Sequence, residues 1–219
     1  PSLTPVILKD EFVKELEGLS LRDVRVSAYK DGRKFESATG DALFTAKGMS
    51  GPLIINMSKG VRKELPGEVA LKIDLVPDLD LAELEARILK DFQGAPNRQI
   101  KTCLDMLLPQ KLVPVIMKIA GVDPEKKVNC VTKEERKKLL RLMKEFEVHV
   151  AGLHGFEKAV ITAGGVELSE VDSKTMRSKL FENLYFAGEI LDLDGPTGGY
   201  NLQVCWSTGY CAGEAAAPQ

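Results

Sequence analysis

The order of hydrophobic periods along this chain limits its folds more than any other feature. Two-residue alternation, the mark of a half-buried strand, occupies both flanks, and helical spacing fills the middle. Leu21 to Tyr29 sets Val24, Val26 and Ala28 against Asp23, Arg25 and Ser27. Asp31-Gly32 is a two-residue turn signal, and Lys34 to Ala38 returns as the partner strand. Gly67 to Pro77 reads as another strand, with Val69, Leu71, Ile73 and Leu75 on one face. Strand character resumes in Val148-His149-Val150 and in Lys158-Ala159-Val160-Ile161, on either side of the turn-rich Gly152 to Gly155.

Helices punctuate this pattern. Ser50 as N-cap and Pro52 in the first turn predict a helix that Gly60 ends. Asp80 caps a helix to about Phe92, and Arg98 to Leu108 and Leu112 to Ala120 are two shorter ones. Thr132 to Phe146 is the clearest: Thr132 and Glu135 form a capping box, and Leu139, Leu140, Leu142, Met143 and Phe146 supply an apolar face. The expected class is α+β, a β-barrel-like insert with a helical-bundle subdomain. Residues 1–77, completed by 147–171, form its β-rich part, residues 78–146 the helical subdomain, and residues 172–219 a separate C-terminal piece.

Charge excludes several partners. Thirty Lys and Arg against 32 Asp and Glu leave a net charge of -2, and the densest basic run, Lys133 to Lys144, reads as a solvated helix face of alternating sign. No nucleic-acid partner is expected on that count. No apolar run reaches the length of a membrane span, so no membrane partner is expected either. Cys103, Cys130, Cys205 and Cys211 lack CxxC spacing, and His149 and His154 have no Cys or His neighbours to complete a metal site. Free thiols and a cytoplasmic location follow. The start at Pro1, without Met or signal peptide, reads as a boundary inside a longer protein or as a processed product.

The chemistry concentrates late in the chain. Asn183 to Ala187 reads as a buried strand that delivers Gly188 and Glu189 just past its end, where ligands of open α/β sheets bind. The loop from Asp192 to Asn201 contains Gly195, Gly198 and Gly199 and runs into a helix reaching about Ala217. Bare backbone amides and the positive end of the helix dipole suit an electron-rich carbonyl or an anion there. The small residues Cys205, Gly209, Ala212, Gly213 and Ala216 imply close helix packing. A tightly packed helix after a flexible loop remains the alternative on these residues alone.

Three stretches carry a resemblance. Leu184 to Glu189, with Leu191 to Gly195 and Gly198 to Gln203, resembles the C-terminal motif of HI0933-like flavoproteins. Gly40 to Thr45, with Gly48 to Pro52, is similar to their insert domain. Thr162 to Val166, with Lys174 to Met176 and Ser178 to Leu180, is similar to their return strand. The resemblance implies a Rossmann-like flavin domain interrupted by a barrel and a helical bundle, residues 172–219 being its strand–loop–helix. It implies an FAD-dependent oxidoreductase transferring hydride to or from an organic small molecule, reduced by NAD(P)H. Gly188 and Glu189 would meet the flavin's ribityl or ribose hydroxyls. Gly198, Gly199, Tyr200 and Asn201 would offer amides to the N1–C2=O edge, and Ala163, Gly164 and Gly165 would line the other side. No GxGxxG fingerprint occurs here, so the resemblance makes this chain an inactive fragment that requires an N-terminal FAD-binding half as partner. It also leaves open a homo-oligomer through the exposed C-terminal segment. Ala46-Lys47 departs from the family pattern, and no side chain stands out as a catalytic acid or base. The competing reading is a non-enzymatic binding or interaction module whose C-terminal helix is purely structural.

Overall fold

The computed structural model describes residues 1–217. The chain divides into two units, Pro5–Leu153 and a second made of Pro1–Thr4 with the residues from His154 onward.

The first unit is a closed antiparallel barrel with helices attached, an α+β architecture. Its strands are β1 (Val6–Leu8), β2 (Ser20–Lys30), β3 (Arg33–Thr45), β4 (Gly48–Ser50), β5 (Val69–Asp74) and β6 (Phe146–Leu153). They close in the order β1-β4-β3-β2-β5-β6, which leaves no free sheet edge. The β2–β3 hairpin turns at Asp31 and Gly32, with φ of 48° and 76°, and Lys30 pairs with Arg33 across it. Two consecutive left-handed residues match the right-handed twist of the paired strands. Val24, Val26 and Ala28 of β2, Val69, Leu71 and Ile73 of β5, and Phe146, Val148 and Val150 of β6 are all buried. Alternation therefore places one face of each strand in the barrel core. A bulge interrupts β2 between Leu21 and Val24, where the Asp23 amide donates to Asp41 Oδ1 at 3.1 Å.

Between β4 and β5 lies α1 (Pro52–Glu64). Ser50 does not cap it: Ser50 belongs to β4, and Gly51 at φ 93° is the N-cap, with no side-chain hydrogen bond. Gly60 does not end it either. The helix runs on until Leu65, which precedes Pro66 and leaves helical geometry. A Cβ at Gly60 would lie 1.9 Å from Oε2 at the flexible end of Glu36 on β3, which would have to swing aside.

The helical block sits between β5 and β6: α2 (Leu81–Gly94), α3 (Ile100–Leu104), α4 (Val113–Ala120) and α5 (Lys133–Lys144). Asp80 caps α2 and Thr132 caps α5, each through a reciprocal box with the Glu three residues on. Helix α3 ends sooner than its periodicity predicts, and it starts later because Gln99 bridges to Lys127 and the Ile100 amide donates to the Lys126 carbonyl. Leu84, Ile88, Ile116, Met117, Leu139, Leu140 and Met143 join the barrel residues in one continuous core. Lys144 ties α5 to the end of β5 through Asp74 at 2.7 Å and the carbonyls of Val76 and Leu79.

The second unit is built mainly from turns. Its regular elements are two short 3₁₀ turns, Leu168–Glu170 and Gly188–Ile190, and the long helix α6 (Tyr200–Ala216). Lys158 to Ile161 shrinks to a single bridge from Ile161 to Ser2. Asn183 to Ala187 makes no strand. Tyr185 bridges to Arg177, the Phe186 amide donates to the Met176 carbonyl, and Leu184 is 40% exposed. One neighbouring segment satisfies only one edge of an extended run, so the predicted buried strand lacks its second partner among these residues. The buried hydrophobics of this unit's core cluster are Val171, Met176 and Leu191.

Candidate functional site

The candidate site forms in the second unit, where three separated segments converge. Ala163-Gly164-Gly165 leads into Val166, which pairs in parallel with Leu191. The Val166 amide donates to the Ile190 carbonyl at 2.8 Å, and the Asp192 amide donates back to Val166 at 3.0 Å. The approach is close enough that a Cβ on Gly165 would lie 2.3 Å from the Ile190 carbonyl oxygen, so only glycine fits at that position. Gly188 is fixed in turn to α6: its amide donates to Thr208 Oγ1 at 2.9 Å. Asn201 closes the loop. Its side chain accepts from the Gly195 amide at 2.8 Å and donates to the carbonyls of Gly195 and Pro196 at 3.1 and 3.3 Å.

Hydrogen bonds therefore link the Gly165 and Gly188 segments to each other and Gly188 to the middle of α6 at Thr208, while Asn201 ties the start of α6 to its own loop. Helix α6 begins without a capping side chain, from Gly199 at φ 89°, with Gly198 at φ 109° before it. Its first-turn amides are left for another acceptor. Asn201 is turned back on its own loop, so its backbone amide is the part of it open to a ligand. Ala163, Gly164, Glu189, Gly198 and Tyr200 are exposed.

Packing differs from the predicted stripe on α6. Cys205, Thr208, Cys211, Ala212 and Ala215 are half-buried, while Gly209 and Gly213 face open space, with nothing within 4 Å of a Cβ built there. The opposite side shows Leu202, Trp206 and Tyr210, each more than half exposed, and Leu180, Phe181 and Ile190 are exposed in the same unit.

A second polar cluster, on the outer wall of the barrel, was not legible from sequence. A cleft there is lined by Lys9, Asp10, Tyr29, Lys72, Glu147 and His149. His149 Nδ1 lies 3.0 Å from Asp10 Oδ1 and Nε2 lies 3.3 Å from Glu147 Oε1, while Asp10 Oδ2 accepts the His149 amide at 2.6 Å. The hydrogen bond to Asp10, with the nearby Asp10 and Glu147 charges, raises the His149 pKa above 6.5 against a smaller opposing effect of burial. Lys72 is held up chiefly by its bond to Glu145 and sits 5.1 Å from the centre of the Tyr29 ring. Sequence showed His149 as isolated because Asp10 is 139 positions away. Among the described residues no His, Cys, Asp and Glu group could hold a metal ion, and no helix is long and apolar enough to cross a membrane.

The barrel, its helical block and the glycine-lined turns together define a class. Residues 1–161 match the model of the HI0933-like protein barrel and H2TH domain, and the chain belongs to that family. Among curated proteins it is similar to two ribosomal RNA dihydrouridine synthases. The Haemophilus influenzae protein is 35% identical over 96% of this chain and 50% of its own length. The Escherichia coli protein is 31% identical over 98% of this chain and 52% of its own. The 3-dehydro-bile acid delta(4,6)-reductase of Clostridium scindens is 29% identical over 89% of this chain and 48% of its own length. The chain thus spans about half the length of the curated relatives it matches, and those relatives are oxidoreductase-type enzymes.

Proposed function

We propose that this chain supplies the flavin-ring side of an FAD-dependent reductase that saturates a carbon–carbon double bond conjugated to a carbonyl. One observation carries the reading: the Gly165 and Gly188 turns meet through the Val166–Ile190 pairing, Gly188 is bonded to α6 at Thr208, and the same helix starts uncapped from two glycines. Glycine-containing turns in one unit with an uncapped helix N-terminus give a flat ring close access to backbone amides, and this fits a flavin. The amides of Gly198 to Asn201 would meet the ring's N1–C2=O edge, where the helix dipole favours the negative charge of the reduced form. Gly188 and Glu189 would hold ribityl or ribose hydroxyls, and Ala163 to Gly165 would cover the ring. The flavin supplies hydride chemistry when bound, with NAD(P)H as electron source, and the N-terminal half of an FAD domain would supply the pyrophosphate site.

The relatives' names share one chemistry. A delta(4,6)-reductase of a 3-dehydro compound and a uridine-to-dihydrouridine enzyme each add two hydrogens across an unsaturated bond polarised by a carbonyl. The RNA enzymes match more of this chain at higher identity, so a uridine base in RNA is the favoured substrate.

Two measurements test the reading. Titration of FAD into these 219 residues should show no sub-micromolar binding. A few hydrogen bonds near 1 kcal/mol each must oppose an association cost of about 4 kcal/mol or more. In a protein that carries this chain with a complete FAD domain, Glu189→Ala should weaken FAD by about 1 to 3 kcal/mol. Tight binding by the isolated chain, or unchanged affinity in the variant, would overturn the assignment.

A further inference from the structure

Four cations of the helical block, Lys90, Arg98, Lys111 and Lys127, lie apart and meet no carboxylate among the described residues, and the others fall into two sets. Arg87, Lys101, Lys118, Lys126, Arg136 and Lys144 are each neutralised by a carboxylate. Lys133, Lys137, Lys138 and Arg141 of α5 are exposed and make no ion pair among the described residues. Lys133, Lys137 and Arg141 recur every fourth residue, so they form one stripe about 12 Å long, with Lys138 beside it. The acids beside this face are mostly engaged elsewhere: Glu85 pairs with Arg136, Glu145 with Lys72, and Glu135 with Lys126 and the capping box, leaving Glu134. Like charges four apart repel along a helix, and the fold has not relieved that repulsion as it has elsewhere in the block. Beside the stripe runs a groove lined by Leu81, Leu140, Lys137, Arg141 and Lys144 together with Glu85 and Glu145, with Leu81 56% exposed.

We infer that this face of α5 docks the phosphate backbone of an RNA substrate. The inference rests on the reading above that RNA is the substrate class, and it names where the strand is held. Successive cations about 6 Å apart on a rigid helix can neutralise successive phosphates of one strand. A membrane surface fits less well. The apolar side of α5, Leu139, Leu140 and Met143, is buried in the core, leaving no amphipathic face to insert between lipids. Contacts of this kind position a nucleic acid without reading its sequence, so the docking should tolerate sequence changes and weaken with salt.

The experiment uses the 219-residue chain, a fluorescein-labelled RNA hairpin and anisotropy titrations between roughly 50 and 200 mM salt. The variant Lys133→Gln, Lys137→Gln, Lys138→Gln, Arg141→Gln should lose about tenfold or more in affinity at low salt and lower the log–log salt slope by about 3. A control removing four exposed charges of the barrel (Lys14→Gln, Arg22→Gln, Arg33→Gln, Lys34→Gln) should bind within about threefold of the parent. Circular dichroism confirms the fold. If the quadruple variant does not fold, Lys137→Gln and Arg141→Gln singly should each lower the slope by about 1. Equal losses in the α5 and control variants, or binding to phosphatidylserine vesicles but not to RNA, would overturn the inference. A flavin-complete protein that reduces uridine in RNA while its α5 variant binds RNA normally would sink this docking face alone. RNA held by α5 in a protein that never reduces it would sink the functional reading and leave the face intact.

Discussion

The barrel unit and the C-terminal unit are built from chain of similar hydrophobicity but reach order by different means. In Pro5–Leu153 the strands close on themselves, and a continuous core runs from Phe44 and Phe146 to Met117 and Leu140. Each element there buries its own apolar face. In the C-terminal unit the core cluster holds three buried hydrophobics, while Phe181, Trp206 and Tyr210 are each more than 60% exposed. Its segments are positioned by a few hydrogen bonds, such as the Val166 amide to the Ile190 carbonyl and the Gly188 amide to the Thr208 hydroxyl. Burial stabilises in proportion to area, whereas each hydrogen bond contributes about 1 kcal/mol net. The difference teaches that one unit is specified by packing and the other by backbone geometry, and the candidate site lies in the second. Apolar side chains exposed in such number mark a surface built to be covered. We propose that the remainder of a flavin domain covers it.

The sharpest break of this comparison is a pair of aromatic truncations. Phe146 is fully buried and meets Phe12 edge-on at 5.5 Å, so Phe146→Ala should cost about 3 to 5 kcal/mol in a denaturant melt. Trp206 is 65% exposed, and Trp206→Ala should change stability by less than about 0.5 kcal/mol. A cost above about 1 kcal/mol for Trp206 that grows with protein concentration would show the α6 surface covered by a second copy, and the contrast between the units would collapse.

Helix starts sharpen it at a smaller scale. Helix α5 begins with a reciprocal capping box, Thr132 Oγ1 accepting from the Glu135 amide at 3.2 Å and Glu135 Oε2 from the Thr132 amide at 2.8 Å. Helix α6 begins at Gly199 with no side-chain cap. The same orphan amides are satisfied internally in one case and held out in the other. Thr132→Ala should therefore lower the stability of the barrel unit by about 1 kcal/mol. A neutral result by thermal melt would mean that solvent serves those amides equally well, and the open start of α6 would lose its meaning.

What could be read in the sequence was local. The Asp31-Gly32 turn, the caps at Asp80 and Thr132 and the alternation in β2 and β5 each depend on residues within a few positions of one another. Barrel closure was only partly legible, because it rests on pairs such as Val6 with Leu153. The 3₁₀ turn Glu11–Leu16 falls inside the part expected to be β-rich. Ser50 and Gly60 were misread for a shared reason. Their residue types signal helix ends, but a neighbouring strand claims Ser50 and a side chain of β3 crowds Gly60. At the site, the glycines of the Gly195–Gly199 loop announced close backbone approach. That Val166 would join Leu191, and Asn201 fold back on Gly195, depends on geometry that residue types alone do not fix. The RNA-docking inference also departs from the sequence expectation of no nucleic-acid partner. Whole-chain charge and the alternating order of Lys133 to Lys144 both looked neutral. The fold sorts that run into paired and unpaired cations, and only the unpaired ones share the solvent face.

The smallest expected effect concerns what electrostatics adds to the barrel beyond packing. Asp10 lies just before the 3₁₀ turn and holds β6 through both the amide and the ring of His149. The bonded, charged ring is favoured in the folded state, so the folded pKa lies above the 6.5 of an unperturbed histidine. A raised folded pKa stabilises the fold fully below about pH 6.5, and that stabilisation is lost as pH rises through the folded value. Its size is small, because the His149 side chain is 52% exposed and solvent screens the pair. The Cε1 proton of His149 should titrate with a midpoint above 6.5 in the parent. Asp10→Asn should bring that midpoint down, because the neutral amide keeps an acceptor for the backbone but loses the charge that holds the proton. The parent should also exceed Asp10→Asn in stability by more at pH 5.5 than at pH 8.5, the difference narrowing steadily upward. A midpoint unmoved by Asp10→Asn would show that Glu147 alone sets the ring's charge, and the stability of this unit would then rest on its core without help from the Asp10 clamp.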